Sequence, residues 1–183
     1  ALMALALALL LQPLRTEFDS DRQPRRSLKM NDIRATLTAV ISDRRVRELA
    51  LGLFAFTGLQ LAFASFFISF LSLGLGWTLT NAGFAYSIAM GAGVIGRLIW
   101  GWVGTKYLSP LMLLALLGFS MGFAHMAISL VTETWQTTAV WIVAFVYGLT
   151  GIGYQGVLLA EIARVSPPGM AGVVTGGAVF FAY

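Results

Sequence analysis

The chain has 183 residues, of which 58% are hydrophobic and 11% are charged, and its formal net charge at pH 7 is +4. Soluble domains are about 45–50% apolar and about 25% charged, so this composition excludes a water-soluble globular enzyme and an intrinsically disordered chain. The absence of cysteine and the single histidine exclude disulfide scaffolds, thiolate or His-rich metal sites and cysteine nucleophiles. We therefore expect no metal and no cofactor.

The apolar residues fall into runs long enough to cross a membrane. A bilayer core about 30 Å thick needs about 20 apolar residues in a helix, and runs without alternating polarity are helices rather than barrel strands. Five such spans are predicted, at about 50–71, 83–103, 107–130, 137–160 and 169–183. The fold class is therefore an all-α membrane protein, a polytopic helix bundle.

The first apolar segment, residues 1–14, is also predicted to belong to a membrane span. It has no basic stretch before it, so we interpret it as the end of a transmembrane helix rather than as a signal peptide. Because this segment begins within an apolar run and 169–183 stops within one, we expect the chain to be truncated at both ends.

The basic residues mark alternate connections between the spans. Nine of the twelve lie in 15–48, two flank the second turnaround and one lies in the last, whereas the turnarounds near 72–82 and 131–136 have none. By the positive-inside rule, 15–48, 104–106 and 161–168 are cytoplasmic.

The segment 15–48 is predicted to be a cytoplasmic linker that contains an amphipathic helix. Residues 15–30 are polar and basic, whereas apolar residues then recur at helical spacing. These apolar residues are Ile33, Leu37, Val40 and Ile41, after Asn31 or Asp32 as a cap. Ser42 or Asp43 would cap the next span. The alternative is a plain linker with residual helicity.

Three short motifs match enzyme signatures but lie within apolar spans. Gly91–Gly96 and Gly151–Gly156 both read G-x-G-x-x-G, yet neither follows a strand or opens a helix, as a dinucleotide site requires. Gly118–Gly122 reads G-x-S-x-G without the strand-to-helix turn that exposes a catalytic serine. Ser120 is instead expected to bond to its own helix, on a different face from His125.

Helix packing explains the glycines better than catalysis does. Small residues let membrane helices approach closely, and the pairs Gly118/Gly122 and Gly172/Gly176 have the spacing of such contacts. A denser set is predicted to loosen and bend its helix, as in many transporters. Its members are Gly148, Gly151, Gly153 and Gly156.

The stretch Gly96-Arg-Leu-Ile-Trp-Gly-Trp-Val-Gly-Thr-Lys106 resembles the cytoplasmic turn that marks the major facilitator superfamily. In that family, the turn joins the second and third helices of each six-helix half. Gly96, Arg97, Gly101 and Lys106 fit the motif, whereas Thr105 stands where the family usually has Asp and Ser109 where it often has Arg.

A second stretch is similar to the turn between the tenth and eleventh helices of many bacterial members. It runs from Leu159-Ala-Glu161-Ile-Ala-Arg164 through Pro167-Pro168-Gly169. The resemblance implies that 15–48 joins the two halves of the protein. It also implies that the chain runs from the end of the sixth helix into the eleventh.

Ionisable residues inside a membrane are functional candidates. Arg97 and Glu161 lead to the hypothesis of a latch between helix ends that closes an inner gate. The alternative is that Arg97 reaches to lipid headgroups and Glu161 pairs with Arg164. With the motif positions, the candidate gating residues are Arg97, Gly101, Lys106, Glu161 and Arg164.

Polar side chains deep in the spans are candidates for substrate binding. They are Gln60 with Thr57 one turn away, Tyr147, Thr150 and Tyr154 on one predicted face, and the adjacent Gln155. The resemblance implies that these two helices line the transport cavity. The alternative is hydrogen bonding between helices. His125, on a helix that the family places at the periphery, is expected to be structural.

The leading interpretation is a secondary active transporter that moves a small solute by alternating access. We expect a monomeric, multi-pass protein of a bacterial-type inner membrane that binds lipid and no nucleic acid, with a coupling proton or ion left open. The alternatives are a membrane-embedded enzyme that uses Ser120 or His125, and a non-transporting membrane scaffold or receptor.

Overall fold

The computed structural model describes Leu9, Leu37, Thr38 and residues 40–183, and all of these except Leu9 belong to the unit Arg34–Tyr183. This unit contains six α-helices from Arg44 onward. They are α1 (Arg44–Ser69), α2 (Leu79–Lys106), α3 (Pro110–Ser129), α4 (Thr137–Tyr147), α5 (Gln155–Val165) and α6 (Ala171–Ala182). Phe70–Gly74 extends α1 as a first π segment, and Gly148–Ile152 joins α4 to α5 as a second π segment.

Four helical stretches are long and apolar enough to cross a membrane, which confirms the predicted all-α membrane bundle. They are Arg44–Gly74, Leu79–Lys106, Pro110–Ser129 and Thr137–Val165, whereas α6 is shorter. Residues 40–183 contain no strand. The first, second and fourth of these stretches extend beyond the predicted apolar runs, whereas α3 lies within its run. In α1 the extension is polar, and Arg44 pairs with Glu48 at 2.8 Å.

Side-chain caps fix where the spans begin. Of the two predicted caps of α1, Asp43 is the one used: its carboxylate accepts hydrogen bonds from the backbone N–H groups of Arg45 and Val46. Thr78 caps α2 in the same way, and Ser109 caps α3. Each cap satisfies an N–H group that the first helical turn leaves without a partner.

The linker before α1 is described only in part. Leu37, Thr38, Val40 and Ile41 are helical. Val40 is buried in the core, whereas Ile41, which the amphipathic pattern places on the same apolar face, is exposed. The remaining residues of the predicted linker before Leu37 and the apolar segment 1–14, apart from Leu9, lie outside the described residues.

The core divides into two clusters at different levels of the bundle. The first lies toward the ends that carry Arg44, Lys106 and Arg164, which we call the basic end. It contains residues of α1, α3, α5 and α6, among them Val46, Leu53, Leu117, Tyr154 and Val174. The second contains residues of α1 to α4 and the second π segment, among them Phe63, Ala85, Met121, Tyr147 and Ile152.

Large apolar side chains on the outer surface, such as Phe66, Leu98 and Phe119, are exposed, as expected of a bundle surrounded by lipid.

Glycines bring α2 and the second π segment into backbone contact. A Cβ atom added at Gly148 would collide with the backbone of Ala89, and one added at Gly93 would lie 2.5 Å from Ile152. Gly96 and Gly153 meet in the same way, because a Cβ on Gly153 would lie 3.0 Å from Gly96. The two G-x-G-x-x-G stretches therefore pack against each other, and we call Gly93, Gly96, Gly148 and Gly153 the glycine seam.

The two glycine pairs predicted from spacing are packed less closely than the glycine seam. Gly118 lies against the ring of Phe56, but a Cβ added at Gly122, Gly172 or Gly176 would meet no atom within 4 Å. The prediction of close contacts at those three positions is wrong for the described part of the chain. Spacing identifies a face that could accept a helix, whereas the neighbouring backbone decides whether one is there.

Candidate functional site

The second π segment interrupts the regular hydrogen bonding between α4 and α5. The N–H group of Gly153 donates to the carbonyl of Gly148, five residues earlier, at 3.2 Å. The indole of Trp100 donates to the carbonyl of Leu149 at 2.6 Å, so α2 supplies a donor where the regular helical ladder is interrupted.

The two tyrosines that flank the second π segment both contact α1: the hydroxyl of Tyr147 at Leu59 and that of Tyr154 at Thr57. Tyr147 lies in the second core cluster and Tyr154 in the first, so the two rings lie at different levels of the bundle. Thr150 lies inside the π segment and donates to the carbonyl of Val146 at 2.9 Å.

Tyr147 is buried between α1 and α3. Its hydroxyl donates to the carbonyl of Leu59 at 3.2 Å, and its ring stacks on Phe63 with centroids 3.9 Å apart. The imidazole of His125 meets the edge of the same ring at 4.8 Å. Because Tyr147 is 0% exposed, it joins helices in this structure and does not line an open surface.

Thr57 and Tyr154 form a second buried contact between helices. Their hydroxyls share a hydrogen bond of 3.1 Å, and Phe56 stacks on the tyrosine ring at 4.4 Å. Thr57 is 1% exposed and Tyr154 0%. This pair joins α1 to the start of α5 and, like Tyr147, has no open side in this structure.

Gln60 and Gln155, in contrast, meet at a partly open surface. The side-chain nitrogen of Gln155 donates to the side-chain oxygen of Gln60 at 3.3 Å, and both residues are half-buried. Arg97 donates from Nη2 to the side-chain oxygen of Gln155 at 2.8 Å, and the hydroxyl of Tyr183 lies 3.5 Å from the nitrogen. We call Gln60, Arg97, Gln155 and Tyr183 the polar cluster, which joins α1, α2 and α5 with the residue that follows α6.

The two residues of the predicted latch, Arg97 and Glu161, do not meet in this structure. Glu161 is buried and accepts two hydrogen bonds from Arg164, at 2.7 and 2.6 Å. No ion pair joins Arg97 to Glu161, and the arginine is bound to Gln155 instead. The observed contact of Glu161 is thus the local pair that was the alternative to the latch.

The turn after α2 is held by local contacts. The ammonium group of Lys106 lies 5.5 Å from the ring centre of Trp102 and 5.3 Å from that of Tyr107. The hydroxyl of Thr105 donates to the carbonyl of Trp102 at 2.9 Å. Gly101 has open space where a Cβ would stand. None of these five residues contacts Glu161 through a described hydrogen bond or ion pair.

Within residues 40–183, the enzyme-like residues form no catalytic arrangement. Ser120 lies in the middle of α3, and no described hydrogen bond connects its side chain to His125. The predicted bond from this side chain to its own helix is not among the described hydrogen bonds either. Nδ1 of His125 lies 3.3 Å from the carbonyl of Met121, and its ring packs on Tyr147. The described residues contain no group of three His, Cys, Asp or Glu side chains that could hold a metal ion.

Two residues of the site were missed in the sequence. Tyr183 stands at the end of an apolar run without a polar neighbour, so no sequence signal marks it. Trp100 lies within the stretch that resembles the family motif, and nothing there indicates that its indole donates to the backbone carbonyl of Leu149. Arg97 was identified, but as a gating residue rather than as a partner of Gln155.

Comparison with known proteins gives one match. A family model described as Major Facilitator Superfamily matches residues 1–183. Neither the curated proteins nor the solved structures give a match.

Proposed function

As a member of the Major Facilitator Superfamily, this chain is a multi-pass membrane transporter, and we propose that it moves a small solute by secondary active transport with alternating access. The observation that carries the proposal is the polar cluster. Three helices and Tyr183 bring hydrogen-bonding side chains together at a half-open position within otherwise apolar spans. Transporters bind their substrates at such mid-membrane sites, beside interrupted helices.

The proposed substrate contacts are Gln60 and Gln155, because they combine partial exposure with free hydrogen-bonding capacity. Thr57, Tyr147, Thr150 and Tyr154 support them from inside the bundle. Thr57, Tyr147 and Tyr154 hold α1 against α4 and the start of α5 through hydrogen bonds that a solute would not replace. Thr150 bonds to the carbonyls of Val146 and Tyr147 in its own helical stretch. Substitution of these four residues would disturb the position of the glutamines rather than remove a substrate contact.

The second π segment is the proposed flexible element of the transport cycle. It interrupts the long Thr137–Val165 stretch beside the polar cluster, and its backbone packs against α2 along the glycine seam. With few side chains between the two backbones, α5 can tilt with little repacking. The gating role of Arg97, Gly101, Lys106, Glu161 and Arg164 belongs to this proposal, since all five lie on α2 or α5.

We further propose a bacterial-type inner membrane, with the basic end in the cytoplasm, and a monomeric transporter. The positive-inside rule supports the orientation, because Arg44, Arg45, Arg47, Lys106 and Arg164 lie at one end of the described helices. A coupling proton or ion is part of secondary active transport.

An uptake screen with purified protein in proteoliposomes tests the proposal. Radiolabelled carboxylates, sugars and amino acids are supplied with and without an imposed proton or sodium gradient. We expect uptake of at least one solute, and we expect Gln60→Ala and Gln155→Ala to reduce it by about tenfold or more, since each loses contacts to the solute.

Gln136→Ala is the matched control, because Gln136 is exposed and its side chain caps nothing. It is expected to transport like the unmodified protein. Uptake that survives both glutamine substitutions, or a protein that moves none of the solutes under any gradient, would contradict the proposal.

A further inference from the structure

Arg97 is the described charged residue that lies farthest from a helix end. Arg97 lies nine positions before Lys106, a rise of about 13 Å along α2, and eighteen positions after Leu79. A cation at this depth in a membrane needs a compensating charge or a polar cavity. The described carboxylates do not provide one, since Glu48 and Glu161 pair with other arginines and no described ion pair reaches Arg97.

The contacts of Arg97 fix the orientation of both glutamines. An arginine only donates, so the side chain of Gln155 must turn its oxygen toward Arg97 and its nitrogen toward Gln60. That nitrogen only donates, so Gln60 must receive it with its oxygen. The amide nitrogen of Gln60 then has no described partner.

The polar cluster consequently keeps several free donors. They are the remaining N–H groups of Arg97, the amide of Gln60 and the O–H of Tyr183, whose oxygen faces the nitrogen of Gln155. Arg97 and Tyr183 are exposed and Gln60 is half-buried, so a solute can reach all three. A site that presents donors and one positive charge is complementary to an anion.

We infer that the transported solute carries a carboxylate, which Arg97 binds with help from Gln60 and Tyr183. This inference rests on the proposed transport function and names its substrate class. A single guanidinium balances one negative charge, and its planar fork matches the two oxygens of a carboxylate. A doubly charged phosphate would need a second cation, and the described cluster has none.

The melting temperature of the purified full-length protein in detergent tests this inference without requiring transport. Each carboxylate is compared with its neutral amide at about 10 mM and constant ionic strength. The pairs are benzoate and benzamide, nicotinate and nicotinamide, and lactate and lactamide, with inorganic phosphate and sulfate as further probes. We expect at least one carboxylate to raise the melting temperature and its amide to leave it unchanged.

Substitutions assign the effect to Arg97. Arg97→Gln is expected to weaken carboxylate binding by about tenfold or more, and Arg97→Lys to keep part of it, because the charge remains without the fork. Arg45→Gln is the matched control, an exposed arginine near the end of α1 whose side chain makes no described contact. Unliganded variants should melt like the unmodified protein, because Arg97 is exposed.

The inference is overturned if no carboxylate stabilises the protein, if amides, phosphate or sulfate stabilise it equally, or if Arg97→Gln keeps the effect. Uptake of a neutral solute that depends on Gln60 but not on Arg97 would refute the carboxylate and leave the transport function standing. Carboxylate binding that depends on Arg97, in a protein that transports nothing, would refute the transport function alone.

Discussion

Arg164 binds both carboxylate oxygens of Glu161, through Nε at 2.7 Å and Nη2 at 2.6 Å, although Glu161 is buried and Arg164 is exposed. A bidentate pair of this kind is stronger than a single charge-assisted bond, and it neutralises a carboxylate that the bundle has removed from water. The pair is internal to α5 and moves with that helix, so in this structure it does not tie α5 to α2.

A charge exchange tests whether Arg97 and Glu161 nevertheless form a latch in another state. Glu161 lies six positions after Gln155, a rise of about 9 Å along α5. To form the latch, Arg97 would therefore have to leave Gln155, and Glu161 would have to leave Arg164. We expect Arg97→Glu and Glu161→Arg each to abolish uptake in proteoliposomes, and the double variant to recover none of it.

Recovery of uptake in the double variant would establish the latch. Melting temperatures of all three variants provide the control, because Glu161→Arg also places a second cation beside Arg164 and is expected to destabilise the protein.

The glycine seam predicts a large difference between two glycine-to-alanine substitutions. Gly148→Ala places a methyl group against the backbone of Ala89, which cannot move aside, and overpacking of this kind costs about 1–3 kcal/mol. Gly122→Ala is the matched control, because its methyl group meets no atom within 4 Å and alanine favours the helix. We expect only the first to lower the melting temperature in detergent. Equal effects would contradict the packing of α2 on the second π segment.

The hydroxyl pair of Thr57 and Tyr154 predicts a measurable coupling. Thr57→Val, Tyr154→Phe and the double variant form a cycle in which the pair energy is the difference between the summed single effects and the double effect. Hydrogen bonds between membrane helices average about 0.6 kcal/mol, so we expect a coupling of that size in the free energy of unfolding. Additive effects would show that the 3.1 Å contact does not hold α1 to α5.

The orientation of the bundle can be tested by labelling, because the chain has no cysteine. Thr134→Cys lies between α3 and α4, and Pro168→Cys lies between α5 and α6 at the basic end; both positions are exposed. With a membrane-impermeant maleimide on intact cells, we expect Thr134→Cys to react and Pro168→Cys to react only after the membrane is opened. Reaction of both in intact cells would contradict the predicted cytoplasmic position of 161–168.

Much of the site could be predicted residue by residue but not pair by pair. Gln60, Gln155, Arg97 and Tyr147 all stand out as polar groups in apolar runs, because removing such groups from water is costly without a partner. Their partners were not predictable, since they lie on other helices. Arg97 contacts Gln155 across 58 positions, and Tyr147 contacts Leu59 across 88.

The sequence by itself determined the membrane-spanning helices, the all-α class and a cap at Ser42 or Asp43, because hydrophobic length and local capping depend only on nearby residues. The tertiary structure decided which glycines touch another backbone, which tyrosines are buried and which group Arg97 binds. The second π segment packs against α2 through the glycine seam. That contact joins residues of two different helices, which no periodicity within one helix contains.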